Sequence, residues 1–196
     1  MDKFTIKKMD KLDFGAIKDL TDQHQEVPMG MNGIVKPNCL PEEVQETLNS
    51  RIGDEYIAYY FYRNAANWCN EKNYNKAGAF FDKEAEGELE HGKGLQEYLV
   101  QWNTIPAIPG VATKQEFASL VDIINKAYEL EYNLLMKYSE DQKNFHSVHP
   151  ATYNFIQKYV DIQNGEVAEY ADLLNALELI DINSKLDVLF FEKNYF

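Results

Sequence analysis

The sequence predicts an all-α protein, an antiparallel four-helix bundle with an extension before it and a short tail after it. Three observations carry this prediction. At 196 residues the chain is long enough for one domain with a sizeable core and too short for two ordinary ones. Its few prolines and glycines, 6 and 10, are expected at the breaks between long uninterrupted segments. Four of those segments carry apolar residues in steps of three and four, the stripe that a helix turns toward a core.

Residues 1–41 read as an N-terminal extension and linker. Asp13 to Gln23 has the pattern of a short amphipathic helix, with Phe14, Ile17 and Leu20 on one side. Pro28, Gly30, Gly33, Pro37 and Pro41 then exclude a continuous helix. Two readings are open: a loosely docked tail, or a docking segment for a partner or a neighbouring subunit.

The bundle is expected over 42–180. The first helix should run from Glu42 to about Asn70, with Pro41 before its first turn and acids within that turn, where the helix dipole favours them. Its stripe is Val44, Leu48, Ile52, Glu55, Tyr59, Tyr62 and Ala66. The second should follow a short link at Lys72 to Tyr74 and end near Trp102, with the stripe Ala77, Phe81, Glu84, Glu88, His91, Leu95 and Tyr98. A link that short makes the two helices antiparallel neighbours. Pro106, Pro109 and Gly110 then mark a long crossover. The third helix should run from about Lys114 to about Asn144, with Leu120, Ile124, Ala127, Glu131, Leu134 and Tyr138. The fourth should begin after His149-Pro150 and reach about Leu179, with Ile156, Tyr159, Gln163, Glu166, Tyr170, Leu173 and Leu177. Residues 181–196 form a short aromatic tail that should pack rather than stay exposed.

The net charge of −13 argues against nucleic acid and anionic membrane surfaces as partners, since both call for a basic patch. No apolar run reaches the roughly 18–20 residues of a membrane span. The lysine-bearing N-terminus has no apolar stretch after it, so no secretory signal is read there. Cys39 and Cys69 lack a metal-type spacing and are expected reduced, in a cytoplasmic protein.

Each stripe is interrupted near its middle by ligand-type residues: Glu55, then Glu88 with His91, then Glu131, then Gln163 with Glu166. Singly, each has a bland reading. Glu55 suits the border of a surface face, His91 suits a hydrogen-bonded core histidine, and one of Glu129 and Glu131 must face outward. Together they would put four carboxylates at one level of a bundle, where they repel unless cations compensate them. Two divalent cations would do so, and oxygen ligands with one imidazole suit iron, manganese or zinc. Glu88 is the candidate to lie between the two metals, about 3.5–4 Å apart.

Leu48 to Tyr62 with Ala66-Asn-Trp-Cys69, Gly78 to His91, Glu129-Leu-Glu131, and Tyr153 to Glu166 resemble, in that order, the four helices of the non-haem bacterial-type ferritins. The resemblance spans about residues 36 to 180. It implies a ferritin-like bundle with ferroxidase activity, oxidising Fe(II) with dioxygen or hydrogen peroxide and storing ferric mineral in a homo-oligomeric cage of roughly 24 subunits. It implies two irons per subunit and no haem. Glu55 and His91 would bind the first iron, Glu88 would bridge, and Glu131 and Glu166 would bind the second. Gln163 would sit beside the second, and Tyr62 near the centre. The chain departs from that pattern in places. Gly87, Ile162 and Gly165 stand where relatives supply a third iron site. Lys158 replaces a common tryptophan, and the fifth helix is cut to a stub. His146 and His149 stand where ferritins place their threefold channels, so a metal-entry role competes with capping of the fourth helix. Two further readings stay open: a ferritin-like di-iron oxidase or peroxidase without a cage, and a scaffold with structural metals.

Overall fold

The computed structural model describes residues 33–34, 37–110 and 115–196. The short helix expected at Asp13 to Gln23 lies outside them. Cys39–Phe196 forms one compact unit, and among the described residues it holds five α-helices: α1 Glu42–Glu71, α2 Asn75–Gln101, α3 Leu120–Val148, α4 Pro150–Leu177 and α5 Lys185–Tyr195. No strand occurs among the described residues. Leu40, 3% exposed, already belongs to this unit's core, so the core begins just before the first helix.

α1 packs along α2 and α3 along α4, while α1 also touches α3. Cross-helix contacts fix the register. Tyr138 meets Glu55 and Glu131 meets Tyr62, so α1 and α3 are antiparallel. Tyr98 meets Thr152, Tyr159 meets the His91 carbonyl and Phe80 meets Tyr170, so α2 and α4 are antiparallel too. α2 and α3 therefore run the same way, which the crossover makes possible. Its described parts meet α1 at two levels: the Ala107 N–H donates to Asn49 Oδ1 at 2.8 Å, and Phe117 packs on Phe61. Gly53 lets the crossover come close, since a Cβ there would stand 3.2 Å from Pro109 Cγ, a tight contact.

Among the described residues the prolines sit at breaks or, for Pro150, at the start of a helix, as expected, but only Gly33 and Gly110 of the glycines lie outside the α-helices. Gly53, Gly78, Gly87, Gly92, Gly94 and Gly165 lie inside helices. Helix ends also differ from the expectation at α3, which starts at Leu120 rather than Lys114. Ser119 Oγ accepts from the Asp122 N–H at 3.0 Å, and a serine cap placed there sets the first turn. α3 also continues past Asn144 to Val148. His149 then serves both helices, since its N–H closes α3 on the Phe145 carbonyl and its imidazole Nδ1 caps α4 by accepting from the Thr152 N–H at 3.3 Å. That geometry assigns His149 to capping. His146 is exposed, with its ring edge against Tyr153.

The stripes of α3 and α4 are buried as expected, except that Glu166 is half-buried. On α1, Tyr59 is only half-buried, and Ala58 and Phe61 take the interior instead. On α2, Glu84 and His91 are half-buried. The short tail packs, as expected. α5 is an 11-residue helix packed on α2 and α4 at the end of the bundle where α1 stops and α2 starts.

Candidate metal centre

The interrupted stripes converge. Glu55, Glu88 and His91 can each aim one ligand atom so that all lie within 4.8 Å of one another, and Glu88, Glu131 and Glu166 do the same. Glu88 belongs to both groups. The two sets therefore make one double site across all four helices, with Glu88 at its middle.

The surroundings are buried. Glu55, Glu88, Glu131 and Gln163 are at most 1% exposed, and only His91 and Glu166 reach toward solvent. His91 turns Nδ1 inward, 3.2 Å from Glu88 Oε2 and 3.8 Å from Glu55 Oε2. Its backbone carbonyl accepts from the Tyr159 hydroxyl at 3.1 Å. Gly94 keeps that hydroxyl's path clear, since a Cβ there would stand 2.7 Å from it. The Gln163 amide donates to Glu166. Glu129 faces outward, so Glu131 is the inward member of that pair.

Two tyrosines hold the carboxylates in place. The Tyr62 hydroxyl, from α1, donates to Glu131 on α3. The Tyr138 hydroxyl, from α3, donates to Glu55 on α1. The sequence marks Tyr138 as a core residue and gives it no place in the site. Its signal is its spacing: it follows Glu131 by seven, as Tyr62 follows Glu55 by seven. Burial, and next the carboxylate each one touches, push both phenols well above their ordinary range, so they remain donors.

The electrostatics call for cations. Burial is the largest cause raising all four carboxyl groups above the usual carboxylate range. Next, the Glu88 charge raises Glu55, and the Glu131 charge raises Glu88 and Glu166. The Tyr62 hydroxyl partly offsets the shift at Glu131. Glu55 Oε2, Glu131 Oε2 and Gln163 Oε1 are buried without a hydrogen-bond partner. Buried oxygens left bare this way are costly unless something electropositive meets them. The donor set of carboxylate oxygens, one amide oxygen and one imidazole fits a pair of hard or borderline divalent ions.

Gly87 and Gly165 face open space, with nothing within 4 Å of a built Cβ, so the positions matching a third site offer no ligand. Lys158 lies with its Nζ 4.6 Å from the Phe155 ring and 4.8 Å from that of Tyr159, a cation over aromatic faces.

A family model for the ferritin-like domain matches residues 45–180. A bacterial non-heme ferritin of Campylobacter jejuni is 32% identical over 148 residues, covering 72% of this chain and 86% of that one. A probable bacterial non-heme ferritin-like protein of Haemophilus influenzae is 26% identical over 148 residues, covering 74% of this chain and 90% of that one. Among solved structures, an open pore ferritin from Archaeoglobus fulgidus superposes with a TM-score of 0.71 at 24% identity, covering 79% of this chain and 96% of that one. A Chlorobium tepidum ferritin gives 0.70 at 22% identity, covering 79% and 94%. At these identities the superpositions show a common fold.

Proposed function

The chain belongs to the ferritin-like domain family, and from that membership we propose that it is an iron-storing ferroxidase. It oxidises Fe(II) to Fe(III) with dioxygen or hydrogen peroxide and stores the ferric product as mineral inside a homo-oligomeric cage of roughly 24 chains. The observation that carries this reading is the sharing of Glu88 between two ligand groups. A structural ion needs one closed site, whereas two Fe(II) held side by side can deliver two electrons to one oxidant together.

In this reading Glu55 and His91 hold the first Fe(II), Glu131 and Glu166 hold the second, and Glu88 reaches both. Gln163 stands beside the second iron and contributes no charge. Four ionised carboxylates balance two Fe(II) ions, so loading relieves the repulsion that keeps protons on the empty centre. Each Fe(II) gives one electron. Dioxygen takes the pair with two protons to become hydrogen peroxide, or hydrogen peroxide takes the pair with two protons to become two waters. Afterwards the same four carboxylates face six positive charges. Hydroxide from water supplies the two missing negative charges, and with its two protons carried off the ferric product hydrolyses toward mineral. Tyr62 and Tyr138 keep Glu131 and Glu55 turned inward throughout.

Mixing metal-free protein with Fe(II) in air tests the activity. Ferric absorbance should grow faster than in buffer alone, and an equal rate overturns the ferroxidase reading. Size exclusion tests the cage. A particle of roughly 24 chains supports storage, while a monomer or dimer points to an oxidase that builds no cage.

A further inference from the structure

α2 begins without a cap of its own. Tyr74 precedes it and makes no side-chain capping hydrogen bond, and its first turn holds no acid. The N–H groups of that first turn still need acceptors. Glu192, on α5, supplies them. It is 2% exposed, and its Oε1 accepts from the Lys76 N–H at 2.7 Å and the Ala77 N–H at 3.3 Å. Lys76 Nζ donates in return to the Lys193 carbonyl at 2.7 Å. A carboxylate buried at a helix N-terminus, with two donors on it, is a strong pin.

The pin sets the last residue of the chain against the centre's own wall. The Phe196 ring lies 5.1 Å from Phe80, 5.7 Å from Phe81 and 5.9 Å from Phe191. Phe81 stacks on Tyr62 at 6.1 Å and 12°, and Tyr62 stacks on Tyr170 at 6.1 Å and 6°. Tyr62 is thus held between two rings, with its hydroxyl on Glu131. Among the described residues, the other half of the centre has no such link to α5. Tyr138, on Glu55, is backed by Tyr159 at 5.2 Å, deep between α3 and α4.

We propose that Glu192 and Phe196 of α5 are positioning residues for the second metal position alone, acting through Phe81 and Tyr62 on Glu131. α5 thereby makes the affinity of one position depend on how α5 is docked, while the Glu55–His91 position is independent of it. This rests on the metal-centre reading above.

Titration of metal-free protein with cobalt(II) chloride, followed by calorimetry and visible absorption, tests it. Wild-type protein should bind two Co(II) per chain. F196A should weaken one of the two steps by about tenfold, as loss of an outer contact does, and leave the other unchanged. E192Q, which keeps an oxygen for the α2 N–H groups but loses the charge, should weaken the same step less. F196Y, which keeps the ring, should restore it, and L186A, at a residue 75% exposed on the same helix, should change neither step. If F196A does not fold, E192Q carries the same comparison. Equal weakening of both steps, as general loosening would give, or no change in either, overturns the inference while leaving the centre intact. Wild-type protein that takes up no cobalt overturns the metal-centre reading and this inference with it.

Discussion

The two halves of the centre share a plan and differ in what completes it. In each, a glutamate on α1 or α3 accepts from a tyrosine on the facing helix, and each tyrosine sits seven residues past the other glutamate. Glu88 serves both halves. The first half adds an imidazole, His91, whose own carbonyl is tied to Tyr159. The second adds Glu166 and the neutral amide of Gln163, which are bonded to each other. The first is walled within the bundle, whereas the wall of the second reaches α5. The lesson is that, in the proposed two-metal centre, the carboxylates would set where the cations go and the remaining residues would set how differently the two are held.

Removing the shared residue should break the comparison altogether. E88A leaves neither group complete, and the Fe(II) oxidation rate should fall by more than the about 10–100-fold seen on loss of an outer contact. Stopped-flow absorbance reads it, and an unimpaired rate would show that Glu88 does not join the two positions.

Removing one tyrosine hydroxyl should sharpen the comparison. Y62F leaves a Glu131 oxygen bare and Y138F does the same to Glu55. Each should cost about tenfold in affinity, at the second position for Y62F and at the first for Y138F. Competitive zinc titration distinguishes them, and identical profiles would mean that the halves are not held separately.

The pH dependence follows from the raised carboxyl groups. The folded metal-free protein binds these protons more tightly than the unfolded chain does. Their contribution to stability is fully present below the ordinary carboxylate range and is lost as pH rises through the raised values. From about pH 5 to 8, the Tm of the metal-free protein should fall relative to that of the metal-loaded protein, whose carboxylates are already ionised. Scanning calorimetry of the two forms checks this, and a constant gap between them would contradict it.

The smallest effect is expected far from the centre. H149A removes the α4 cap and should cost about 1 kcal/mol of stability, read by urea denaturation, with the oxidation rate unchanged.

The six ligand-type residues are legible in the sequence because a charged residue in an apolar stripe stands out, and four such interruptions at mid-helix point to one level of a bundle. Burial of Glu131 but not Glu129 follows that logic. The role of Tyr138 is not legible, because a tyrosine in an apolar stripe looks the same whether it fills core or holds a ligand. Only the register of α1 against α3 separates these. The start of α3 is ambiguous because Lys114-Gln115-Glu116 suits a helix as well as Leu120 does, and the Ser119 cap decides between them. Gly94 escapes a sequence reading because its reason lies on another element, the Tyr159 hydroxyl that a Cβ would crowd, and Gly53 likewise stands close to Pro109. The docking of α5 is hidden for the same reason: Glu192 meets an N-terminus more than a hundred residues earlier in the chain.

Anomalous diffraction at the iron edge, on crystals soaked with Fe(II) without air, tests the central claim most directly. Two peaks about 3.5–4 Å apart should flank the Glu88 carboxylate, one against Glu55 and His91 and the other against Glu131 and Glu166. A single peak, or two peaks that Glu88 does not touch, would contradict it.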